Sequence, residues 1–344
     1  MKGRYVIPFE EIGKDDYQAV GKKCANLGEM LRIGMPVTPG FALSIEACKS
    51  FMEETKAAHE IKQYMNRFPD GLKNVEQYQE ASKAICNILE SKQIPLYLQD
   101  QIRASYENLC KKCGTASLPV AVRSAGAVSH PGQYETFLNV KGESELLDKI
   151  LKVWASAYNV RSISAVSQKG LSVAESPPIG VAVHRIIEAR SAGVCFTVHP
   201  TTGDRSQIVI EGSWGMGESV VSGSVTPDKF TVDKDSLEIL EKVVGGKTSQ
   251  MVCVEQGIIE EQVPEEKQRC LCLKDEEIKK IAELARSLES YFDSPQDSEW
   301  AIDERSSFPD SIYLMQTRPQ VAIVEKKSTT DKIVDLMLSR MLGS

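Results

Sequence analysis

From about residue 178 the chain breaks into short β-rich runs, "IGVAVHRII", "AGVCFTVHP", "QIVIEGSWG" and "DKFTVDK", separated by Gly, Pro and Asp turns. Runs of this length with this punctuation read as a largely antiparallel sheet. A helix over about 274–291 intervenes before two last runs, "SEWAID" and "SIYLMQTRP". The first half has a different period. Residues 17–33 place Leu27, Met30 and Leu31 at helical spacing, stretches 45–65, 75–89 and 96–113 are amphipathic, and 143–169 reads as one long helix carrying Leu146, Ile150, Val153, Trp154 and Tyr158. One strand, "LPVAV", runs up to Arg123 within this half, and "TFLNV" turns apolar again after a loop. The expected class is α+β: a helix-rich first lobe over 1–188, a hinge near 184–191, a β-rich second lobe over 189–322, and a tail over 323–344. The tail places Ile333, Met337, Leu338 and Met341 on one helical face, which suits either a docking helix or packing on its own domain.

Composition narrows the function classes. With 344 residues, 42% apolar and 26% charged, the chain has enough material for two lobes and is not a disordered segment. A net charge of -7 gives no positive field for nucleic acid or anionic membrane, though a local basic pocket stays open. No apolar run reaches the ~18 residues of a membrane span, and the first residues lack the apolar core of a signal peptide. Nine scattered cysteines then suggest reduced thiols and a cytoplasmic location.

Four residues near the end carry the strongest chemical signal. Asp297 and Glu299 lie two apart, as do Gln316 and Arg318. In strands, residues two apart share a face, so a hairpin would set two carboxylates, an amide oxygen and a guanidinium together. Such oxygens are ligands that Mg²⁺ accepts, with Arg318 left to neutralise a phosphate. The same alternation also suits an ordinary half-buried hairpin. Arg123 ends a strand beside a loop of small residues, and Lys23 opens a helical segment; each alone is as well a surface charge, but a triphosphate needs several cations to converge. The glycines of "EGSWGMGESVVSG" permit close backbone approach to phosphate, or simply make a turn. Cys110 and Cys113 form a single C-x-x-C far in sequence from Cys270 and Cys272, a weak zinc signal, and His130 sits in the Gly/Pro loop.

Five segments in order, "GKKCANLGEMLRIGMPVTPGFALS", "AVRSAGAVSHPGQYETFLNV", "AGVCFTVHPTTG", "WGMGESVVSGSVTPD" and "DSEWAID…YLMQTRP", resemble the ATP-binding portion of the phosphoenolpyruvate synthase and pyruvate phosphate dikinase family. The resemblance covers about residues 5–320. It implies an ATP-grasp-like, two-lobed fold with ATP in the cleft. It assigns phosphate contacts to Lys23, Arg123 and Arg161, a place near the distal phosphates to Glu218, and a phosphate-covering loop over 123–136 to Thr136 and Gly132. It assigns magnesium to Asp297, Glu299 and Gln316, and a phosphate clamp to Arg318. The chain departs from the family pattern at His184, in the hinge strand where adenine would bind, and at Ser219, beside Glu218. No phosphohistidine segment follows "QTRP", so the resemblance implies a partner subunit carrying the histidine that takes pyrophosphoryl from ATP. Split enzymes of the phenylphosphate synthase kind make phenol the expected final acceptor. A split phosphoenolpyruvate synthase acting on pyruvate, a split antibiotic phosphotransferase, and a non-catalytic ATP sensor are the alternatives.

Overall fold

Thirteen short strands assemble into two antiparallel sheets and a separate ribbon. The computed structural model describes residues 4–126, 134–254 and 257–320; Gly132, His130 and the tail over 323–344 lie outside them. The strands are β1 (Val6–Pro8), β2 (Gly40–Leu43), β3 (Val120–Ala125), β4 (Thr136–Val140), β5 (Gly180–Arg185), β6 (Ala189–Phe196), β7 (Gln207–Trp214), β8 (Asp228–Asp233), β9 (Ile239–Val243), β10 (Ser249–Val254), β11 (Gly257–Gln262), β12 (Gln296–Asp303) and β13 (Ile312–Pro319). The first sheet has the order β1-β2-β5-β3-β4, and the second β13-β12-β6-β7-β8-β9. The fold is α+β. No described helix is long and apolar enough to cross a membrane.

Two cores result. Helices Ile45–Glu54, Ala57–Met65, Val75–Glu90, Leu96–Lys112 and Glu143–Ser156 cover one face of the first sheet, where Phe51 stacks on Trp154 at 5.0 Å among Ile61, Ile85, Val122 and Val183. The second core crosses between sheets. Leu27 and Met30 of helix Lys22–Arg32 and Ala125 and Ala182 of the first sheet share it with Ile210, Phe230, Trp300 and Leu314 of the second and with Ile281 of helix Asp275–Phe292. Burying so many apolar side chains at about 25 cal/mol per Å² makes this contact a continuous interior.

Polar links reinforce it. Leu314 N–H donates to the Pro36 carbonyl at 2.7 Å, and Asn26 Nδ2 donates to the Thr317 carbonyl at 2.8 Å, so the outer edge of β13 is covered by a segment from the beginning of the chain. The β10–β11 ribbon makes a further bridge: Asn139 of β4, in the left-handed region at φ 58°, donates from Nδ2 to the carbonyls of Val254 (2.6 Å) and Gly257 (3.1 Å).

Three expected helices are interrupted, each for a local reason. The 17–33 segment breaks at Gly21, whose φ of 81° is outside the helical region. The 45–65 segment breaks at Lys56, at φ 60°. The 143–169 segment restarts where Asn159 accepts from Ser162 N–H at 2.9 Å, an N-cap inside an otherwise helical pattern. The short strands β1 and β2 escaped the sequence reading because four or fewer residues, buried on both faces in β2, carry no alternation.

Gly21 also fixes where helix Lys22–Arg32 starts. A Cβ there would lie 2.1 Å from the Ala125 carbonyl oxygen, and the next residue, Lys22, donates its N–H to Gly126 O at 3.1 Å. The helix therefore begins against the end of the Arg123 strand. Gly21→Ala combines that overlap with an unfavourable φ, and it is expected to cost about 1–3 kcal/mol in urea unfolding.

Candidate functional site

Strands β12 and β13 pair antiparallel with Asp297 opposite Arg318 and Glu299 opposite Gln316. The register is pinned from behind. Gln296, Ser298 and Thr317 face the interior, where Thr317 Oγ1 donates to Gln296 Oε1 at 2.8 Å and Gln296 N–H donates to Thr197 Oγ1 at 2.8 Å. A one-residue slip would bury the charged set and expose this bonded one, so the front face is specified by the back. On the front, Arg318 reaches Asp297 Oδ2 with Nε at 2.7 Å and Nη2 at 2.6 Å, and Gln316 Nε2 donates to Glu299 Oε1 at 3.1 Å.

The first sheet brings a second guanidinium. Arg123 Nη2 lies 3.8 Å from Glu299 Oε2, with both side chains about one-fifth exposed. Lys23, in the first turn of helix Lys22–Arg32, feels Arg123, Glu299 and Arg318 together. Burial foremost, then Arg123, pushes its amine down from 10.5 to about 8; Glu299 opposes the shift and Arg318 adds to it. Burial raises the Asp297 carboxyl above its ordinary value, against the pull of Arg318 and with a smaller push from Glu299. Residues about 100 and 300 apart in sequence thus share one electrostatic environment.

Two polar atoms in this cluster, Arg123 Nε and Gln316 Oε1, are buried with no hydrogen-bond partner among the described residues. Unsatisfied buried groups cost about 1–3 kcal/mol each, and here one is a donor and the other an acceptor. His184 Nε2 is a third such atom. His184 is 1% exposed on β5, between Gly40 and Ala121. Its Nδ1 lies 3.0 Å from Thr38 Oγ1 and 3.2 Å from the Arg185 carbonyl. A carbonyl only accepts, so Nδ1 carries the proton and Nε2 a bare lone pair. Burial, then Arg123 and more weakly Lys23, lowers the ring to about 3, keeping it neutral.

Thr136, Glu218 and Arg161, also expected at the site, are all solvent-exposed. Thr136 is exposed on β4, opposite Arg123. Glu218 is exposed in the first turn of the four-residue helix Glu218–Val221, and the charges acting on Lys23 do not include it. Its neighbour Ser219 is buried, with Oγ donating to Met216 O at 3.3 Å. Arg161 is exposed near the start of helix Val160–Gln168. Among the described residues no group of three or more His, Cys, Asp or Glu assembles around a common point, which leaves the mixed carboxylate and amide face of the hairpin as the candidate cation surface. Sequence reasoning passed over Asn26 altogether. Its only signal was spacing, three residues after Lys23 and so on the same helix face.

Residues 17–337 match the sequence family described as the pyruvate phosphate dikinase AMP/ATP-binding domain. A probable phosphoenolpyruvate synthase of Methanothermobacter thermautotrophicus is 36% identical, over 99% of this chain and 49% of its own length. The phosphoenolpyruvate synthase of Aeropyrum pernix is 35% identical over 96% of this chain and 44% of its own, and that of Pyrococcus furiosus 31% over 96% and 45%. The chain spans about half the length of the curated relatives it matches. An L-amino acid ligase of Bacillus licheniformis aligns with 77% of this chain and 52% of its own at 10% identity and a TM-score of 0.24, a likeness too low to argue from.

The shared field is directly testable. Arg123→Met removes a like charge, so the Lys23 amine is expected to climb from about 8 toward 10.5 in NMR titration of labelled lysine; an unmoved value refutes the coupling. Between those pH values the unfolded chain binds the proton that folded Lys23 rejects. This site therefore makes stability rise with pH across that window, and less so in the variant.

Proposed function

Because the chain belongs to the pyruvate phosphate dikinase AMP/ATP-binding domain family, we propose that it binds Mg·ATP between its two sheets, in the manner of an ATP-grasp fold, and passes the β-phosphoryl group to a histidine on a separate domain or subunit. The histidine nitrogen attacks the β-phosphorus and the bond to the α-phosphate oxygen breaks. AMP leaves, and pyrophosphoryl stays on the histidine until its terminal phosphate goes to water or inorganic phosphate.

One observation carries this reading: Lys23, Arg123 and Arg318 converge on a face that offers, among the described residues, Asp297 and Glu299 as counter-charges. A cluster with one positive charge in excess, partly buried, is poised for a polyanion. Phosphoryl transfer asks mainly for positioning and for charge set in place before the reaction. Arg123 spans from Glu299 toward the phosphates, with its Nε–H unclaimed. Lys23, near its titration point at neutral to alkaline pH, takes full charge once a phosphate lies beside it. Glu218 near the distal phosphates, Thr136 and Gly132 in the covering loop, Arg161 as a further phosphate contact and His184 in the nucleotide cleft complete the proposal on family resemblance.

The donor set suits magnesium. Asp297, Glu299 and Gln316 offer hard oxygens on one face, and Gln316 Oε1 is a buried acceptor without a partner. When bound there, the ion would neutralise phosphate charge. Arg318, already on Asp297, keeps that carboxylate oriented and offers its remaining N–H groups to phosphate.

For the final acceptor, the relatives named phosphoenolpyruvate synthase favour pyruvate as the first candidate to assay, with phenol second. Whether the histidine is on the same polypeptide or on a partner subunit is read in the same assay. With ATP labelled at the β-phosphate, label is expected on a histidine with stoichiometric AMP. Label released as ADP, or left in ATP when a histidine-bearing domain or partner is supplied, would overturn the dikinase reading. Glu299→Ala and Arg123→Ala should each slow AMP release about 100-fold or more, with unfolding midpoints nearly unchanged because neither side chain belongs to an apolar core.

A further inference from the structure

We infer that Asn26 is a positioning residue that holds the Lys23 helix against the Gln316–Arg318 strand, an inference resting on the polyphosphate-cleft reading above. The side chain donates from Nδ2 to the Thr317 carbonyl at 2.8 Å, across 291 residues of sequence. At one end of this link, Lys23 is one helical turn away on the same face. At the other, Thr317 is the residue between Gln316 and Arg318. The bond therefore joins the backbones of two elements from different lobes at the point where each presents its cation.

The joint opposes a force. Lys23 and Arg123 repel where burial leaves them poorly screened, and Lys23 and the more exposed Arg318 repel more weakly. With no polyanion between them, that repulsion acts to separate helix from strand. The apolar contacts of Leu27 and Met30 hold the helix to the second core but are non-directional, and they permit sliding along the β13 edge. Two other polar links flank this one: Tyr291 Oη of helix Asp275–Phe292 donates to Glu29 on the same helix, and Leu314 N–H donates to Pro36 O beyond its end, but neither reaches the strand at Gln316–Arg318. Asn26 is the directional contact at the level of the cations. A nucleotide spanning Lys23 and Arg318 benefits from the fixed spacing, whereas one lacking the outer phosphates does not.

The test compares the magnesium complex of a non-hydrolysable ATP analogue (β,γ-imido) with AMP by calorimetry, on wild type, Asn26→Ala, Asn26→Leu, Lys23→Met and the Lys23→Met/Asn26→Ala double variant. Alanine is the best helix former and leucine keeps the volume, so at least one of the two single variants folds, with circular dichroism as the check. Positioning predicts about tenfold weaker binding of the triphosphate analogue in either Asn26 variant, with AMP within about twofold. It also predicts that Asn26→Ala adds less than about twofold once Lys23 is methionine, because Asn26 acts through Lys23. Equal losses on both nucleotides, no loss on either, or full additivity with Lys23→Met would each overturn the role. Failure of the wild type to bind the analogue would instead bring down the nucleotide reading itself, and the inference with it.

Discussion

Sealing the outer edge of β13 is the constraint on which the arrangement turns. An edge strand exposes a row of unpaired N–H and C=O groups, a standing liability for a sheet. Here that row is met by the Pro36 carbonyl and the Asn26 amide, both from the first tenth or so of the chain, and Val37 runs parallel to Leu314 as a single bridge. The same contact that protects the edge carries Lys23 to the strand holding Gln316 and Arg318. Protection of a sheet and assembly of a cation cluster are one event.

Electrostatics sets the second requirement. Three cations and two carboxylates are gathered here, and burial shows in both signs: the Lys23 amine is pushed down to about 8 and the Asp297 carboxyl is pushed up. A cluster assembled for stability alone would pair each charge and satisfy each buried polar atom. The arrangement around Arg123 and Gln316 leaves an N–H and an amide oxygen over. By contrast the fully buried pair of Lys247 and Asp228 is closed, with Gly245 N–H and Cys272 N–H also bonded to the carboxylate at 2.8 and 2.7 Å. The two clusters separate groups waiting for a ligand from groups that have none to wait for.

How much of this was legible depended on whether the signal was local. Period-2 spacing at Asp297, Glu299, Gln316 and Arg318 was enough to read a shared face, because register in a hairpin follows from alternation. The break at Lys56 within the amphipathic stretch 45–65 was not legible, since it depends on φ and not on apolar spacing. Strand β2 vanished into a Pro- and Gly-rich stretch because it is buried all round and only four residues long. The apposition of Lys23 to Arg318, and the bond from Asn26 to Thr317, depend on how helix Lys22–Arg32 packs on the second sheet, which no window of sequence contains. His184 was read as a departure from the family pattern in the hinge strand; its burial beside Arg123 and its unclaimed Nε2 emerge only from neighbours on three strands.

The 291-residue gap bridged by Asn26 has a consequence for biogenesis. Ribosomes add about 5–20 residues each second, so the helix waits on the order of tens of seconds for a strand made 291 residues later. Throughout that interval Leu27 and Met30 lack Trp300 and Leu314, which complete their apolar surroundings in the finished protein. A nascent chain of this design carries a sticky helix uncovered through that interval, and its yield in a cell is tied to whatever shields the helix until the strand emerges.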